Sequence, residues 1–286
     1  MRYRRILHDM IRRQPRLIFR LCLGFAFSSF LLGQSAEEMA RMAQDPLASI
    51  SAIASDNTFN FGTGADGEEQ VAPNLQIQPV YSVSLGSWNF IPRAIIPIIG
   101  APPESDLPGL GPPRPPGSDR TWGLSDIATQ FFFAPSGGAK VKWGAGPQFS
   151  WRTRTDSRVG GAGWGAGPSG VVLTDFGSLS VGALVGNMWS YDGDFSTMLV
   201  QPLIYYNFES LPGVSLSYNP GITFDWKADS GNKVTLPLGL GIGKTLALGG
   251  GFGLDISGGA YGMAIRPDGG PKWQLKMAAF FILPRN

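Results

Sequence analysis

Residues 213–226 read Gly-Val-Ser-Leu-Ser-Tyr-Asn-Pro-Gly-Ile-Thr-Phe-Asp-Trp, and this stretch decides the fold. Val214, Leu216, Tyr218, Pro220, Ile222, Phe224 and Trp226 share one parity; Ser215, Ser217, Asn219, Gly221, Thr223 and Asp225 share the other. A period of two is that of a β-strand with one apolar and one wet face. The proline in the apolar row is the informative residue. It cannot donate to a β ladder, and soluble sheets confine it to edges and bulges. Pro79, Pro92, Pro147, Pro168 and Pro202 repeat the placement in other alternating runs, while Pro237 falls on the polar parity. A closed antiparallel barrel whose apolar face looks into lipid reconciles the rows with their prolines. Gln78, Gly146, Gly167, Gln201 and Asn219 precede five of the six apolar-row prolines and would face the lumen. Each proline removes an N–H, which predicts bulges or kinks near mid-strand. Lipid cannot satisfy the carbonyl that loses its donor. Lumen-side amides or water are expected to do so.

Working outward, twelve strands are expected: 56–63, 73–85, 87–98, 122–134, 140–152, 164–174, 177–190, 196–208, 213–226, 233–244, 251–264 and 272–283. Most are long enough for a tilted strand to cross a bilayer. The last shows Trp273, Leu275, Met277, Ala279 and Phe281 on one face, with Trp273 and Phe281 placed for the two aromatic girdles. Turn signals such as 62–67, 191–194, 229–232 and 266–270 separate the strands. Connections alternate in length. Those at 99–121 and 153–163 are long, whereas those at 86, 175–176 and 209–212 are short. Long external loops with short periplasmic turns are the expected asymmetry, with the N-terminus in the periplasm. A soluble β-sandwich could alternate similarly but would bury the apolar row, prolines included.

The N-terminus predicts an export signal over 1–35. Seven arginines from Arg2 to Arg20 precede an apolar stretch from Leu21 to Leu32, and Gly33-Gln34-Ser35 offers small residues for cleavage after Ser35 or one residue later. The alternative is an anchor that stays attached, although the apolar stretch is short for a span. A lead-in at 36–55 follows, with one short helix over Ala36 to Gln44. The barrel occupies 56–286. The stretch 100–117, dense in proline and glycine, is expected to be an extended external loop within 99–121.

The signal carries 7 of the 23 basic and 1 of the 21 acidic residues. The remainder has net charge −4, so the basic character of the whole chain gives no case for nucleic acid. The single Cys22 and single His8 also fall there. Acyl transfer or hydrolysis with a histidine base, and imidazole-based metal sites, are therefore not expected. Gly239-Leu-Gly-Ile-Gly-Lys-Thr245 imitates a phosphate loop, but Leu238 stands where the first glycine is required. The Gly161–Gly167 run lacks the strand–turn–helix context of a dinucleotide site. Trp-Gly-Ala-Gly-Pro occurs twice, at 143–147 and 164–168, and reads as two strands with matched kinks.

By parity the wet face holds Gln76, Gln78, Arg93, Asp126, Gln130, Lys142, Gln148, Gln201, Asn219, Asp225, Asp255, Tyr261, Gln274 and Lys276. These mostly uncharged groups suit small polar or amphipathic solutes with weak charge selectivity. Asp126, Asp225 and Asp255 sit on separate strands and read as wall charge rather than a catalytic set. Twelve strands lie between the filled eight-stranded barrel and the open sixteen-stranded one. The lumen could therefore be open or closed by its own side chains.

Several stretches together resemble a known bacterial group: Asp-Pro-Leu-Ala-Ser-Ile (45–50), Asn-Phe-Gly (60–62), Gln-Ile-Gln-Pro-Val (76–80), Trp-Asn-Phe-Ile-Pro-Arg-Ala-Ile-Ile-Pro (88–97), Gly-Leu-Ser-Asp-Ile (123–127), Phe-Phe-Phe-Ala-Pro (131–135), the paired Trp-Gly-Ala-Gly-Pro, and Pro-Asp-Gly-Gly-Pro-Lys-Trp (267–273). The chain resembles the outer-membrane proteins often labelled "neuromedin U", and is similar to the β-barrel family linked to MetA-pathway phenol degradation. The resemblance covers nearly all of the mature chain and implies an outer-membrane barrel with a transport role. It carries over no catalytic or binding residue. The Pro-rich loop looks like an insertion.

The expectation is an all-β, twelve-stranded outer-membrane barrel that passes small polar, aromatic or amphipathic solutes. The alternative is a non-transporting structural or surface-interaction barrel, with the 99–121 loop as its contact element. No enzyme activity, cofactor or metal is expected. The expected partners are membrane lipid, a small-molecule solute and the outer-membrane assembly machinery.

Overall fold

The computed structural model describes residues 34–64, 70–102 and 120–284. The export signal expected over 1–35 lies outside the described residues except for its last two, and so does most of the Pro-rich stretch.

Twelve strands cross the barrel among the described residues, three of them broken in two. They are β1 (Ser51–Thr63), β2 (Gln70–Val80 and Val83–Leu85), β3 (Trp88–Ala101), β4 (Thr121–Leu124 and Ile127–Pro135), β5 (Val141–Trp151) and β6 (Gly165–Phe176). The second half comprises β7 (Leu179–Ser190), β8 (Ser196–Asn207), β9 (Val214–Tyr218 and Ile222–Asp225), β10 (Val234–Gly249), β11 (Phe252–Ile265) and β12 (Trp273–Leu283). Each pairs antiparallel with its neighbours in sequence. β12 returns to β1 in an unbroken register from Ser51↔Leu283 to Phe61↔Trp273, so the sheet closes.

The apolar rows face outward. On β10, Leu238, Leu240 and Ile242 are 52%, 64% and 59% exposed, while inward Thr245 is 1% exposed. A sandwich would bury the first three. The outer face carries aromatic residues towards both rims. Trp122, Trp151, Trp164, Trp189, Trp226 and Trp273 are exposed towards the long-loop end; Tyr81, Trp88, Trp143 and Tyr206 are exposed towards the short-turn end. Paired girdles at the two interfaces are the outer signature of a transmembrane barrel.

β1 begins at Ser51, five residues earlier than the sequence suggested. Ser-Ala-Ile-Ala-Ser has little apolar contrast, so its alternation is weak; pairing with β12 nevertheless makes it strand. The helix α1 spans Ala36–Gln44, as expected. Ser35 and Glu38 form a reciprocal capping box, with Glu38 N donating to Ser35 Oγ at 3.1 Å and Ser35 N donating to Glu38 Oε2 at 2.9 Å.

Helix α1 and residues 45–50 fill the short-turn end of the lumen. Gln44 and Asn207 exchange amide hydrogen bonds of 2.9 and 3.0 Å. The Lys142 ammonium lies 2.7 Å from Asp45, and Arg41 Nη2 donates to Gly177 O at 2.9 Å. Leu47 packs into a buried cluster with Ile91, Phe132, Leu173, Leu184 and Leu203. Glycines make the room: a Cβ on Gly253 would stand 2.6 Å from Met39 Sδ, and one on Gly144 would stand 2.8 Å from Leu47 Cδ2.

Of the six apolar-row prolines only Pro220 breaks its strand; no register shift falls at Pro79, Pro92, Pro147, Pro168 or Pro202, and the shift in β10 falls at Pro237, on the polar row. β9 breaks at 219–221 around Pro220, which is buried rather than exposed on the apolar face. β10 shifts register between Leu236 and Pro237. Pro147 and Pro168 face each other across β5 and β6, both exposed outward. They also explain the repeated Trp-Gly-Ala-Gly-Pro. The β4–β5 register puts Phe131 opposite Pro147, and the β6–β7 register puts Asn187 opposite Pro168. Neither proline can donate to the carbonyl it faces. A Cβ on the preceding Gly146 would lie 1.8 Å from Phe131 O, and one on Gly167 would lie 1.7 Å from Asn187 O. The glycine of each motif therefore accommodates the neighbouring strand's carbonyl.

Gly146→Ala and Gly167→Ala should each destabilise the barrel by about 1–3 kcal/mol, the usual cost of overpacking. Gly137→Ala, in open space, should change stability little. Urea unfolding in lipid vesicles, followed by heat-modifiable gel mobility, measures the three side by side.

Candidate functional site

The lumen divides into two cavities. The larger, of 1170 Å³, lies towards the long loops; the smaller, of 130 Å³, is an inner chamber whose lining includes Gln44, Asp45 and Pro46 next to α1. Asp56, Gln78, Arg93, Leu184, Gln201 and Lys276 line both, so they form the belt between them. They come from β1, β2, β3, β7, β8 and β12. Alternation delivers each inward, and closure of the sheet brings them to one level.

Hydrogen bonds and one ion pair join the belt residues to their neighbours in separate groups of mixed charge. Lys276 Nζ lies 3.2 Å from Asp56 Oδ2 and donates to Asn219 O at 3.1 Å. Arg93 Nη2 donates to Gln78 Oε1, and Gln78 Nε2 donates to Gln76 Oε1 at 2.7 Å. Gln130 Nε2 donates to Gln148 Oε1 at 3.1 Å. Asn219 Nδ2 donates to the Tyr205 hydroxyl at 3.1 Å. Asp56 Oδ1, Arg93 Nε and Gln130 Oε1 are buried without a hydrogen-bond partner. So is Oδ1 of Asn74, which lines the larger cavity; buried polar atoms are rarely left so, and a solute in the lumen could satisfy them.

The same amides repair the wall. Gln148 Nε2 donates to Asn187 O at 3.0 Å and to Pro168 O at 3.3 Å. Gln201 Nε2 donates at 3.2 Å to Asn219 O, the carbonyl preceding Pro220. The glutamines of this level thus serve the backbone as well as the lumen.

Of the fourteen residues expected on the wet face, Gln76, Gln78, Arg93, Gln130, Gln201, Asp225, Gln274 and Lys276 line the larger cavity. Asn219 and Asp255 line the inner chamber. Asp126, Lys142, Gln148 and Tyr261 line neither. Asp126 staples the 152–164 loop, accepting from the Thr153 and Arg154 amides at 3.1 Å and from Gly163 N at 2.6 Å, with Arg154 Nη2 at 2.9 Å. Lys142 holds Asp45. Gln148 is spent on wall carbonyls, and Tyr261 is 2% exposed, packed over Gly241 and Gly259. Parity gives a residue's side of the wall but not its depth, and these four differ in depth or bonding.

Sequence reasoning missed Asp56 and the inward apolar residues Ile91, Phe132, Leu184 and Leu203. Phe131-Phe132-Phe133 carried a signal, because three consecutive phenylalanines must send one inward. Among the described residues no group of three His, Cys, Asp or Glu could hold a metal ion.

No family profile and no curated protein sequence matches the chain. Solved structures do. An outer membrane channel from Pseudomonas putida F1 aligns over 82% of this chain and 96% of its own, with TM-score 0.56 and 12% identity. The beta domain of the Bordetella autotransporter BrkA aligns over 82% and 100%, with TM-score 0.45 and 11% identity. The P. putida toluene transporter TodX aligns over 86% and 93%, with TM-score 0.41 and 10% identity. At such identity the first likeness is one of fold, and it agrees with the closure and outward apolar face described above. This chain has the transmembrane β-barrel fold.

Gln148→Leu should cost about 1–3 kcal/mol, because it leaves buried carbonyls without a donor. The unfolding midpoint in vesicles reports it; a variant as stable as the parent would show that the wall carbonyls do not depend on this amide.

Proposed function

We propose that this chain is a bacterial outer-membrane channel for the passive passage of small polar, aromatic or amphipathic solutes. The observation that carries this reading is the mixed polar belt, placed inside a closed, lipid-facing wall beneath a 1170 Å³ cavity. Amides with a few charges of both signs bind small solutes weakly enough to release them, as conduction requires. The belt and α1 lie in series along the lumen, so passage requires the segment 34–50 to move. Its polar anchors are the Gln44–Asn207 pair, the Asp45–Lys142 pair and Arg41. Assembly by the outer-membrane machinery and contact with lipid belong to the same proposal.

The filled short-turn end favours one rival, a structural barrel that does not transport. Planar-bilayer recording separates the two. Deleting Ala36–Pro46 should raise single-channel conductance severalfold over the intact chain while heat-modifiable mobility persists. If neither protein conducts, and liposomes containing them take up no small solute, the structural reading replaces the channel.

A further inference from the structure

We infer that the belt contains a carboxylate site, in which Arg93 holds the head group of a small apolar carboxylate whose ring or short chain lies in the inner chamber against Ile91, Phe132 and Leu184. The inference rests on the channel reading and names a solute class for it.

The two cations of the belt are unequal. Lys276 has Asp56 at 3.2 Å. Among the described residues no carboxylate lies within ion-pair distance of Arg93. Its hydrogen bond goes to the neutral Gln78, and its Nε is buried with no partner. The Asp56 carboxylate, shared with Lys276, acts on Arg93 only from beyond ion-pair distance, and a guanidinium so weakly compensated away from bulk water is costly. Its planar fork of donors matches the two oxygens of a carboxylate. Asp192 and Asp194 at the cavity's outer rim are exposed, where water and salt screen them from the belt.

The surroundings of Arg93 supply the rest of the ligand. Arg93 borders both cavities. Ile91 lies two residues before it on the same face, about 6.6 Å nearer α1 at the strand's rise. Phe132 is opposite Ile91 in register. Leu184, 2% exposed, borders both cavities with Arg93. The chamber of 130 Å³ matches in size the roughly 150 Å³ cavity that accepts one benzene ring; its wall is apolar only on the side of Ile91, Phe132, Leu184 and Leu203, and of its carboxylates Asp45 is paired with Lys142, Asp56 with Lys276, and Asp255 accepts from Thr245. A carboxylate at Arg93 therefore leaves space of one ring's size directly behind it. Gln130 Oε1, on the larger-cavity side, is an acceptor and takes a hydroxyl or water rather than the anion.

Calorimetric titration of the purified full-length protein in detergent with benzoate and with benzyl alcohol tests this. The parent should bind benzoate at least tenfold more tightly than the alcohol. Arg93→Gln should bring benzoate down to the level of the alcohol and leave the alcohol unchanged, while Arg93→Lys should keep intermediate benzoate binding. Equal affinities in the parent overturn the inference, even if the variants do not assemble. So does an Arg93→Gln barrel with normal heat-modifiable mobility that binds benzoate like the parent. Conductance is read separately, so a conducting protein indifferent to charge would sink this site and leave the channel standing.

Discussion

Everything in this barrel depends on one constraint: inside a bilayer, each backbone N–H and C=O must find its partner within the protein. Closure of β12 onto β1 meets it for the wall as a whole. The prolines then violate it locally, because each deletes a donor that lipid cannot replace. The repair comes from within. Gln148 and Gln201 turn their amides onto wall carbonyls beside Pro168 and Pro220, and Lys276 shares the second. The lumen therefore cannot be read as a lining free to evolve for a solute. Part of its polarity belongs to the wall.

That double duty shapes the charge balance of the belt. Asp56 neutralises Lys276, and Gln148 is fully engaged with backbone and Gln130. Arg93 is left with a neutral hydrogen-bond partner, an unpartnered Nε and a carboxylate, Asp56, that acts on it only from beyond ion-pair distance. Structural and solute-facing roles are thus sorted among inward side chains: Gln148 serves the wall and borders neither cavity, while Arg93 borders both.

Much of the fold was legible because strand period and barrel face coincide. The alternation from Val214 to Trp226 marks an outward and an inward side, and the loop lengths distinguish a long-loop end from a short-turn end. β1 was truncated in the reading because Ala52 and Ala54 are small and give no contrast between faces. The site was less legible. Alternation placed Asp126 and Lys142 inward, but one holds a loop and the other holds the segment before β1. Such roles depend on height along the axis and on contacts far apart in sequence. The inner apolar cluster escaped for a related reason. Ile91 and Phe132 face a segment that packs into the lumen, and a strand pattern read alone treats the inward side as water.

The seam between β1 and β12 also bears on how the chain acquires its shape. Phe61 and Trp273, which stack at 4.0 Å across it, are more than 200 residues apart in sequence. Contacts of such separation carry the full loss of chain entropy before they return any energy, and they make folding slow. Until the last strand arrives, the sheet is an open strip with two unpaired edges and an apolar face. α1 cannot dock early either, since its neighbours include β8, β10, β11 and β12. The earliest described part of the chain is thus among the last to settle, and the nascent barrel must be kept from aggregating through its free edges until the ring is complete.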